Sequence, residues 1–118
     1  MAQYLILINS DEKAQAKATV EQQKEIFGAY MKYTEDLNKA GVMRGGEALE
    51  NSSSGARISF KEGHRVVTDG PFAEAKEVIG GYYLIDVKTR EEAIEWAAKC
   101  PGAKYGGVEV RSVMVFPK

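Results

Sequence analysis

The sequence is poor in the residues that cross-link proteins or bind metals. It contains one cysteine, Cys100, and one histidine, His64, among 118 residues. One cysteine cannot form a disulfide within the chain, and one cysteine with one histidine cannot supply the four ligands of a structural zinc site. We therefore expect no internal disulfide and no metal centre, and we interpret Cys100 as an apolar filler at a helix end. The lack of disulfides favours a reducing, cytoplasmic setting.

An excess of charge and long apolar runs are also missing. The chain has 16 basic and 17 acidic residues and a net charge of −1, whereas nucleic-acid binding relies on clustered Lys and Arg. No apolar run approaches the roughly 18 residues that a membrane-spanning helix needs. The first ten residues are apolar only over 4–8 and lack a basic start, so we interpret them as a strand rather than a signal peptide. We expect neither nucleic acid nor membrane as a partner.

Motifs that hold organic cofactors are absent as well. The sequence has no phosphate-binding loop, dinucleotide fingerprint or nucleophile elbow, and its glycine pairs lack the strand–turn–helix context of such motifs. We therefore expect no cofactor.

The patterns that are present predict a single domain, residues 1–118, with the order β-α-β, a β-hairpin and β-α-β. Two strands, at 4–8 and 80–87, are apolar on both faces, as strands in the middle of a sheet are. In a ferredoxin-like β-α-β-β-α-β sheet these two positions are central. The sequence thus predicts an α+β, ferredoxin-like antiparallel sheet with helices on one face and an inserted hairpin.

Two helices, two further strands and the hairpin complete this prediction. The first helix begins after Thr19 and ends at Gly41, and the second begins after Thr89 and stops at Pro101. The second helix is predicted to bury Ala93, Ile94, Ala97 and Cys100. A short strand is expected at 42–49, a hairpin around Glu62-Gly63, and a last strand from about 107 to 116.

The predicted sheet has a second apolar face that two helices cannot cover. The residues of the strands at 4–8 and 80–87 that alternate with the core positions are also mostly apolar. Monomers rarely leave a patch of that size in water. We therefore expect a homodimer in which two sheets pack face to face. The alternative is that the loop at 50–56 and the hairpin fold over this face.

The segment "TDGPF", residues 68–72, is the first candidate site. Gly70 and Pro71 are typical of a tight turn with proline at its second position, in which Gly70 can take a positive φ. Asp69 then either caps the turn or points from the strand end into a cavity as a general base. Loops beside a rigid sheet are common places for sites, so Asp69 is a candidate catalytic residue.

Two further charged residues leave similar alternatives. Glu47 lies on a predicted strand beside two glycines, which permit close approach of a ligand. An inward-facing carboxylate there would be a second candidate for proton transfer, and an outward-facing one would be solvated. Lys76 either forms a surface pair with Glu77 or holds an anionic group of a ligand.

Tyrosines and a mobile loop are the remaining candidates. A buried tyrosine hydroxyl needs a hydrogen-bond partner, for which Asp69 or Glu47 is available. The loop at 50–56, rich in Ser and Gly, is a candidate lid. The tyrosines that we consider for ligand binding as well as core packing are Tyr30, Tyr33 and Tyr83.

The segment "VVTDGPFAEAKEVIGGYYLIDV" resembles the YCII-related family, and specifically its DGPF subgroup. The resemblance extends over nearly the whole chain, through "YLILI", "DLNKAGVMRGGEAL", "EEAIEWAAKCP" and "GGVEVRSV". It implies a ferredoxin-like protomer of the dimeric α+β barrel superfamily.

The resemblance also implies possible functions. Some YCII-like proteins have a His–Asp pair, with the histidine on the first helix, proposed as the active site, and one such relative is linked to dehalogenating lyase chemistry on aromatic compounds. Here the first helix contains no histidine, because His64 lies in the hairpin, so only Asp69 has a counterpart. DGPF proteins are often associated with extracytoplasmic-function sigma factors, which implies a regulatory context.

Three hypotheses for function remain open at this point. The first is a cofactor-free acid/base enzyme, lyase- or isomerase-like, that uses Asp69 with Glu47 on an aromatic or lactone-like small molecule. The second is a dimeric ligand-binding or regulatory accessory domain without chemistry, and the third is a structural interaction module. None of the residues indicates a substrate.

Overall fold

The computed structural model describes residues 2–72 and 78–117 as an α+β chain. The elements in chain order are β1 (Ala2–Ser10), α1 (Glu12–Ala16), α2 (Val20–Lys39), β2 (Met43–Ala48), β3 (Ala56–Lys61), β4 (His64–Asp69), β5 (Val78–Val87), α3 (Arg90–Lys99) and β6 (Val108–Ser112). Short 3-10 turns lie at Ser52–Ser54 and Pro101–Lys104. Among these described helices, none has the length and apolar character needed to cross a membrane.

The main sheet has four strands in the order β2-β5-β1-β6, and every neighbouring pair is antiparallel. The two strands that are apolar on both faces, β1 and β5, occupy its centre, as predicted. This order is consistent with the ferredoxin-like arrangement. The predicted hairpin is confirmed: β3 and β4 form a separate two-stranded sheet, closed at Glu62 and Gly63, whose φ angles are 51° and 78°.

The core lies on one face of the main sheet, beneath α2 and α3. It consists of Tyr4, Ile6, Ile8, Tyr33, Leu37, Tyr83, Ile85, Val87, Ala93, Ala97 and Cys100. The predicted burial of Ile94 is wrong, since 40% of this residue is exposed. Ala93 and Ala97, four residues apart, face the sheet, and Ile94 is turned about 100° away from Ala93 around the helix.

Helix boundaries follow the predicted caps. The side chain of Thr19 accepts a hydrogen bond from the backbone of Gln22, whose side chain accepts one from the backbone of Thr19. Thr89 likewise accepts from the backbone of Glu92. Helix α1 is an addition that the sequence pattern did not indicate, because five residues are too few to show an apolar periodicity.

The last strand is shorter than predicted. Strand β6 ends at Ser112, which pairs with Tyr4, and Val113 donates one more hydrogen bond to the carbonyl of Gln3. Only Ala2 of β1 lies beyond that point within the described residues, so the ladder has almost no partner left. The apolar residues that follow, 114–116, are exposed.

The described chain is flat and extended. Its radius of gyration is 16.3 Å and its extents are 48 × 45 × 18 Å, whereas a compact chain of this length has a radius of about 13.5 Å. Every residue of β3 and β4 is exposed. The hairpin therefore projects as an arm and does not fold over the second face of the main sheet.

Candidate functional site

A cleft of about 500 Å³ lies between α2 and the ends of β2 and β5 where Ala48 pairs with Gly81. All three elements pack on the core, through Tyr33 and Leu37 of α2, Tyr83 and Ile85 of β5, and Met43 of β2. The residues that line it are Ile8, Ser10, Gln15, Phe27, Tyr30, Met31, Thr34, Met43, Gly46, Glu47, Ala48, Gly80, Gly81, Tyr82 and Tyr83.

The helical wall of the cleft exposes two large apolar side chains. Phe27 is 67% exposed and Met31 is 59% exposed. They lie four residues apart on α2, with Tyr30 and Thr34 beside them, so all four share one flank of the helix. Phe27 and Met31 were not among the residues predicted from the sequence to bind a ligand, although their spacing on the helix is a signal that they share a flank. Because side chains of this kind gain by leaving water, the flank is suited to contact a ligand or a partner.

The opposite end of the cleft contains a pair of hydroxyl groups. Oη of Tyr83 and Oγ1 of Thr34 are 2.8 Å apart and form a part-buried hydrogen bond. Burial raises the pKa of Tyr83, and the hydrogen bond with Thr34 acts in the opposite direction. The tyrosine therefore stays neutral and keeps its proton.

Tyr33 belongs to the core rather than to the cleft. Its hydroxyl donates to the carbonyl of Trp96 at 2.7 Å, and its ring packs edge-on against that of Tyr83, with centroids 5.2 Å apart. Burial is the main cause that raises the pKa of Tyr33 and of Tyr30. The hydroxyls of Tyr33 and Tyr83 thus have a backbone carbonyl and a threonine as partners, not carboxylates.

Glu47 borders the cleft but is exposed. Strand β2 pairs Gly46 with Tyr83 and Glu47 with Tyr82. Since successive side chains of a strand point to opposite faces, Gly46 faces α2 and the side chain of Glu47 is directed to the other face of the sheet. This placement corresponds to the outward-facing alternative.

Asp69 is the last residue of β4 and is exposed. It is not among the residues that line the cleft. His64 lies at the other end of the same strand, about 17 Å away and on the opposite face of the hairpin. The two residues therefore form no pair within one chain. Lys76 lies outside the described residues.

The corner after Asp69 is tied to the loop at 50–56. Gly70 does not have a positive φ, contrary to expectation. A Cβ atom there would lie 1.8 Å from the carbonyl oxygen of Ser52, so the glycine is required by close approach of two backbones. The backbone N–H of Phe72 donates to Oγ of Ser52 at 3.3 Å, and the ring of Phe72 lies 3.8 Å beneath the guanidinium of Arg57.

Helix α1 also contacts the loop at 50–56. The carboxylate of Glu12 accepts hydrogen bonds from the backbone N–H and the hydroxyl of Ser52, at 2.6 and 2.5 Å. The loop that was a candidate lid thus forms a short 3-10 turn held between α1 and the Gly70 corner.

A second groove, of about 720 Å³, lies on the other side of Tyr30, between α1, α2 and the turn at Pro101–Lys104. Its lining is more polar and includes the charged residues Asp11, Lys17, Glu25 and Lys104. Within residues 2–72 and 78–117, no group of three or more His, Cys, Asp and Glu side chains is placed to hold a metal ion. Cys100 is 1% exposed, and burial raises the pKa of its thiol, as fits an apolar filler.

Comparison with known proteins identifies relatives over almost the whole chain. The family model of the YCII-related domain matches residues 2–117. An uncharacterised protein of Rhizobium meliloti (strain 1021) is 28% identical over 115 residues, which are 96% of this chain and 93% of that protein.

Proposed function

The chain belongs to the YCII-related domain family, and from this premise we propose that it is a homodimer that binds an apolar small molecule in the cleft beside α2. The exposed pair Phe27 and Met31 is the observation that carries the proposal. On the motif at residues 69–72 we assign the chain to the DGPF subgroup of the family.

The chemistry of the cleft supports ligand binding. Sites for small molecules are typically clefts of about 300–1,000 Å³ lined by apolar and aromatic side chains with a few polar groups. The cleft of about 500 Å³ has aromatic, methionine and glycine walls and one hydroxyl pair. A ligand that covered Phe27 and Met31 would remove from water the apolar surface that the described protomer leaves open.

The surface area of the chain supports a dimer. A folded monomer of this mass exposes about 6,300 Å², and this chain exposes 8845 Å². The excess of about 2,500 Å² per chain lies at the upper end of what one protomer of an obligate homodimer buries, since such interfaces bury about 2,000–5,000 Å² in total, or about 1,000–2,500 Å² per chain. We assign the excess to a second copy that covers the outer face of the sheet and the arm.

The outer face of the main sheet is suited to meet its own copy. Its centre consists of Leu5, Leu7, Tyr82 and Leu84. Ion pairs flank it, Arg44 with Asp86 on one side and Arg111 with Glu109 on the other. An apolar centre with a polar rim is the usual anatomy of an interface. Packing of two such faces would make a dimeric α+β barrel from two ferredoxin-like protomers.

Ligand binding is tested with a screen of aromatic fragments by methyl NMR on the full-length protein. We expect fragments to shift the methyl signals of Met31, Thr34 and Met43. We expect Phe27→Ala to weaken the binding of these fragments by about tenfold. Val20→Ala is the matched control, because Val20 is also 67% exposed on α2 but does not line the cleft. The absence of any fragment in the cleft, or equal losses in both variants, would refute the proposal.

Acid/base catalysis is the second candidate function, with Asp69 as the base. The observation in its favour is the register of the arm, which places Asp69 on the same face as Ile58 and Val67. A partner that buried this apolar face would enclose the carboxylate as well. Glu47, which faces the outer side of the sheet, would lie near the same interface.

One experiment distinguishes an enzyme from a binding domain without catalytic activity. Fragments that bind are incubated with the protein and then analysed by mass spectrometry. A chemical change that Asp69→Asn abolishes, with binding and mass of the assembly retained, would support catalysis. Fragments that are returned unchanged would support a ligand-binding or regulatory accessory role.

A further inference from the structure

Resting on the proposed ligand site, we infer that the cleft takes an uncharged aromatic molecule that carries a hydroxyl or carbonyl group. Three features of the described residues lead to this ligand class: the aromatic and methionine walls, the lack of a charged side chain directed into the cleft, and the hydroxyl pair of Thr34 and Tyr83.

The walls suit a flat aromatic ring. Phe27, Tyr30 and Tyr83 supply ring surfaces, and Met31 and Met43 supply thioethers. Aromatic rings pack favourably against other rings and against methionine sulfur, whose flexible chain adapts to the shape of a ligand. Phe27 and Met31 lie at the open side of the cleft, so a ring between them and the sheet would be enclosed from both sides.

The lining disfavours a charge. Among the described lining residues Glu47 is the one with an ionisable acid or base beyond tyrosine, and the register of β2 directs its side chain away from α2. The polar side chains that remain on the side of α2 are Ser10, Gln15, Thr34, Tyr30 and Tyr83, all of them neutral. An ionic group drawn into this site would lose water without gaining a counter-charge, which is costly.

The hydroxyl pair favours one polar group over none. Each hydroxyl has one hydrogen and two lone pairs, and the bond between Thr34 and Tyr83 uses one hydrogen and one lone pair. One O–H group and further lone pairs therefore remain for a ligand. A neutral hydroxyl or carbonyl can bond to them, and a ligand without such a group would leave part-buried polar atoms unpaired.

The inference is tested with probes that share one ring system and differ in charge. These are 2-naphthylmethanol, 2-naphthylmethylamine and 2-naphthoate, which are neutral, cationic and anionic at about pH 7.5. We expect the alcohol to bind the full-length protein at least about tenfold more tightly than either ion by titration calorimetry.

A second comparison isolates the hydroxyl pair. In the wild type we expect the alcohol to bind better than 2-methylnaphthalene, and in Thr34→Val and Tyr83→Phe we expect this preference to fall by about fivefold or more. Tyr33→Phe is the control, because it removes a hydroxyl that bonds to Trp96 and does not line the cleft. Circular dichroism of each variant verifies that it is folded.

The outcomes distinguish the inference from the proposal on which it rests. Tightest binding of the amine or the carboxylate, or equal affinity for all three probes, would overturn the neutral ligand class while leaving a ligand site in place. A preference for the alcohol that survives both hydroxyl deletions would overturn the role of the pair. If no probe binds although each variant is folded, the proposed cleft itself is refuted.

Discussion

Position 70 requires glycine because a distant part of the chain, at Ser52, lies against it. The expected reason was a positive φ in a tight turn, but the structure shows close approach instead, with the carbonyl of Ser52 where a side chain would begin. The Asp-Gly-Pro-Phe corner at residues 69–72 therefore joins the arm to the loop that follows β2.

A substitution at Gly70 tests this directly. We expect Gly70→Ala to lower the free energy of unfolding by about 2 kcal/mol, because two backbones must move apart to admit the methyl group. Gly28→Ala is the matched control: nothing lies within 4 Å of a Cβ atom at this helical position, and alanine should raise stability by up to about 1 kcal/mol. Urea unfolding measures both, and wild-type stability of Gly70→Ala would contradict the close approach.

Buried phenols and a thiol predict a loss of stability in alkali. Folding raises the pKa of Tyr30, Tyr33, Tyr83 and Cys100, chiefly through burial, from ordinary values of 10.0 and 9.0. These groups hold their protons more tightly in the folded state than in the unfolded state. Their contribution to the stability of the fold is therefore complete below the pKa of the unfolded state and is lost as the pH rises through the pKa of the folded state. We expect the free energy of unfolding to fall above about pH 9.

The measurement is urea unfolding at about pH 8 and about pH 10.5. Tyr33→Phe removes one of the titrating groups, so its stability should fall less over this interval than that of the wild type, although it starts lower because of the lost bond to Trp96. An equal fall in both proteins would exclude Tyr33 as a source of the alkaline loss.

At the scale of elements, the β3–β4 arm is notable because it exposes apolar residues that nothing in the described part of the same chain covers. A two-stranded hairpin is marginally stable by itself in water. One face of this hairpin carries Ile58, Phe60 and Val67, and all three are exposed. Arg57 and the Gly70 corner hold the base of the hairpin. We propose that the second copy of the chain covers its apolar face.

Two adjacent valines on β4 test the face of the arm. Val67 pairs with Ile58 on the apolar face, and Val66 pairs with Ser59 on the other. We expect Val67→Ser to weaken dimerisation by about tenfold and Val66→Ser to change it little. Sedimentation equilibrium of both variants measures the difference, and equal dimer affinities would show that the arm does not use this face.

At the scale of the whole molecule, surface and shape are both those expected of one protomer of the proposed homodimer. Both the exposed surface area and the radius of gyration exceed what one compact chain of this size has. The outer sheet face and the arm lie in different parts of the chain, yet each presents apolar residues. A second copy accounts for both through one two-fold operation.

Light scattering at micromolar concentration should give twice the chain mass of 13.0 kDa. Leu84→Asp, which places a charge at the centre of the outer face, should produce a folded monomer because a buried unpaired charge opposes the interface. Ile94→Asp is the control, since this residue is partly exposed on α3, on the other side of the sheet. A wild-type monomer, or an unchanged dimer in Leu84→Asp, would contradict the dimer.

The sequence by itself determined the central strands, the hairpin, the helix caps and three of the four predicted buried positions of the second helix. These features depend on residues a few positions apart: the caps at Thr19 and Thr89, the turn at Glu62-Gly63, and the alternation along β1 and β5. Periodicity and capping are local, so a single sequence contains their full signal. Chain ends and short helices such as α1 escaped prediction because their signal is weak.

Only the tertiary structure decided where the candidate site lies and which residues share it. The cleft depends on the crossing of α2 over β2 and β5, the outward direction of Glu47 depends on strand register, and the distance of Asp69 from the cleft depends on how the arm leaves the sheet. Contacts between segments far apart in sequence are set by packing of the whole fold. The sequence around Asp69 or Tyr83 therefore contains no local pattern from which these long-range contacts could be predicted.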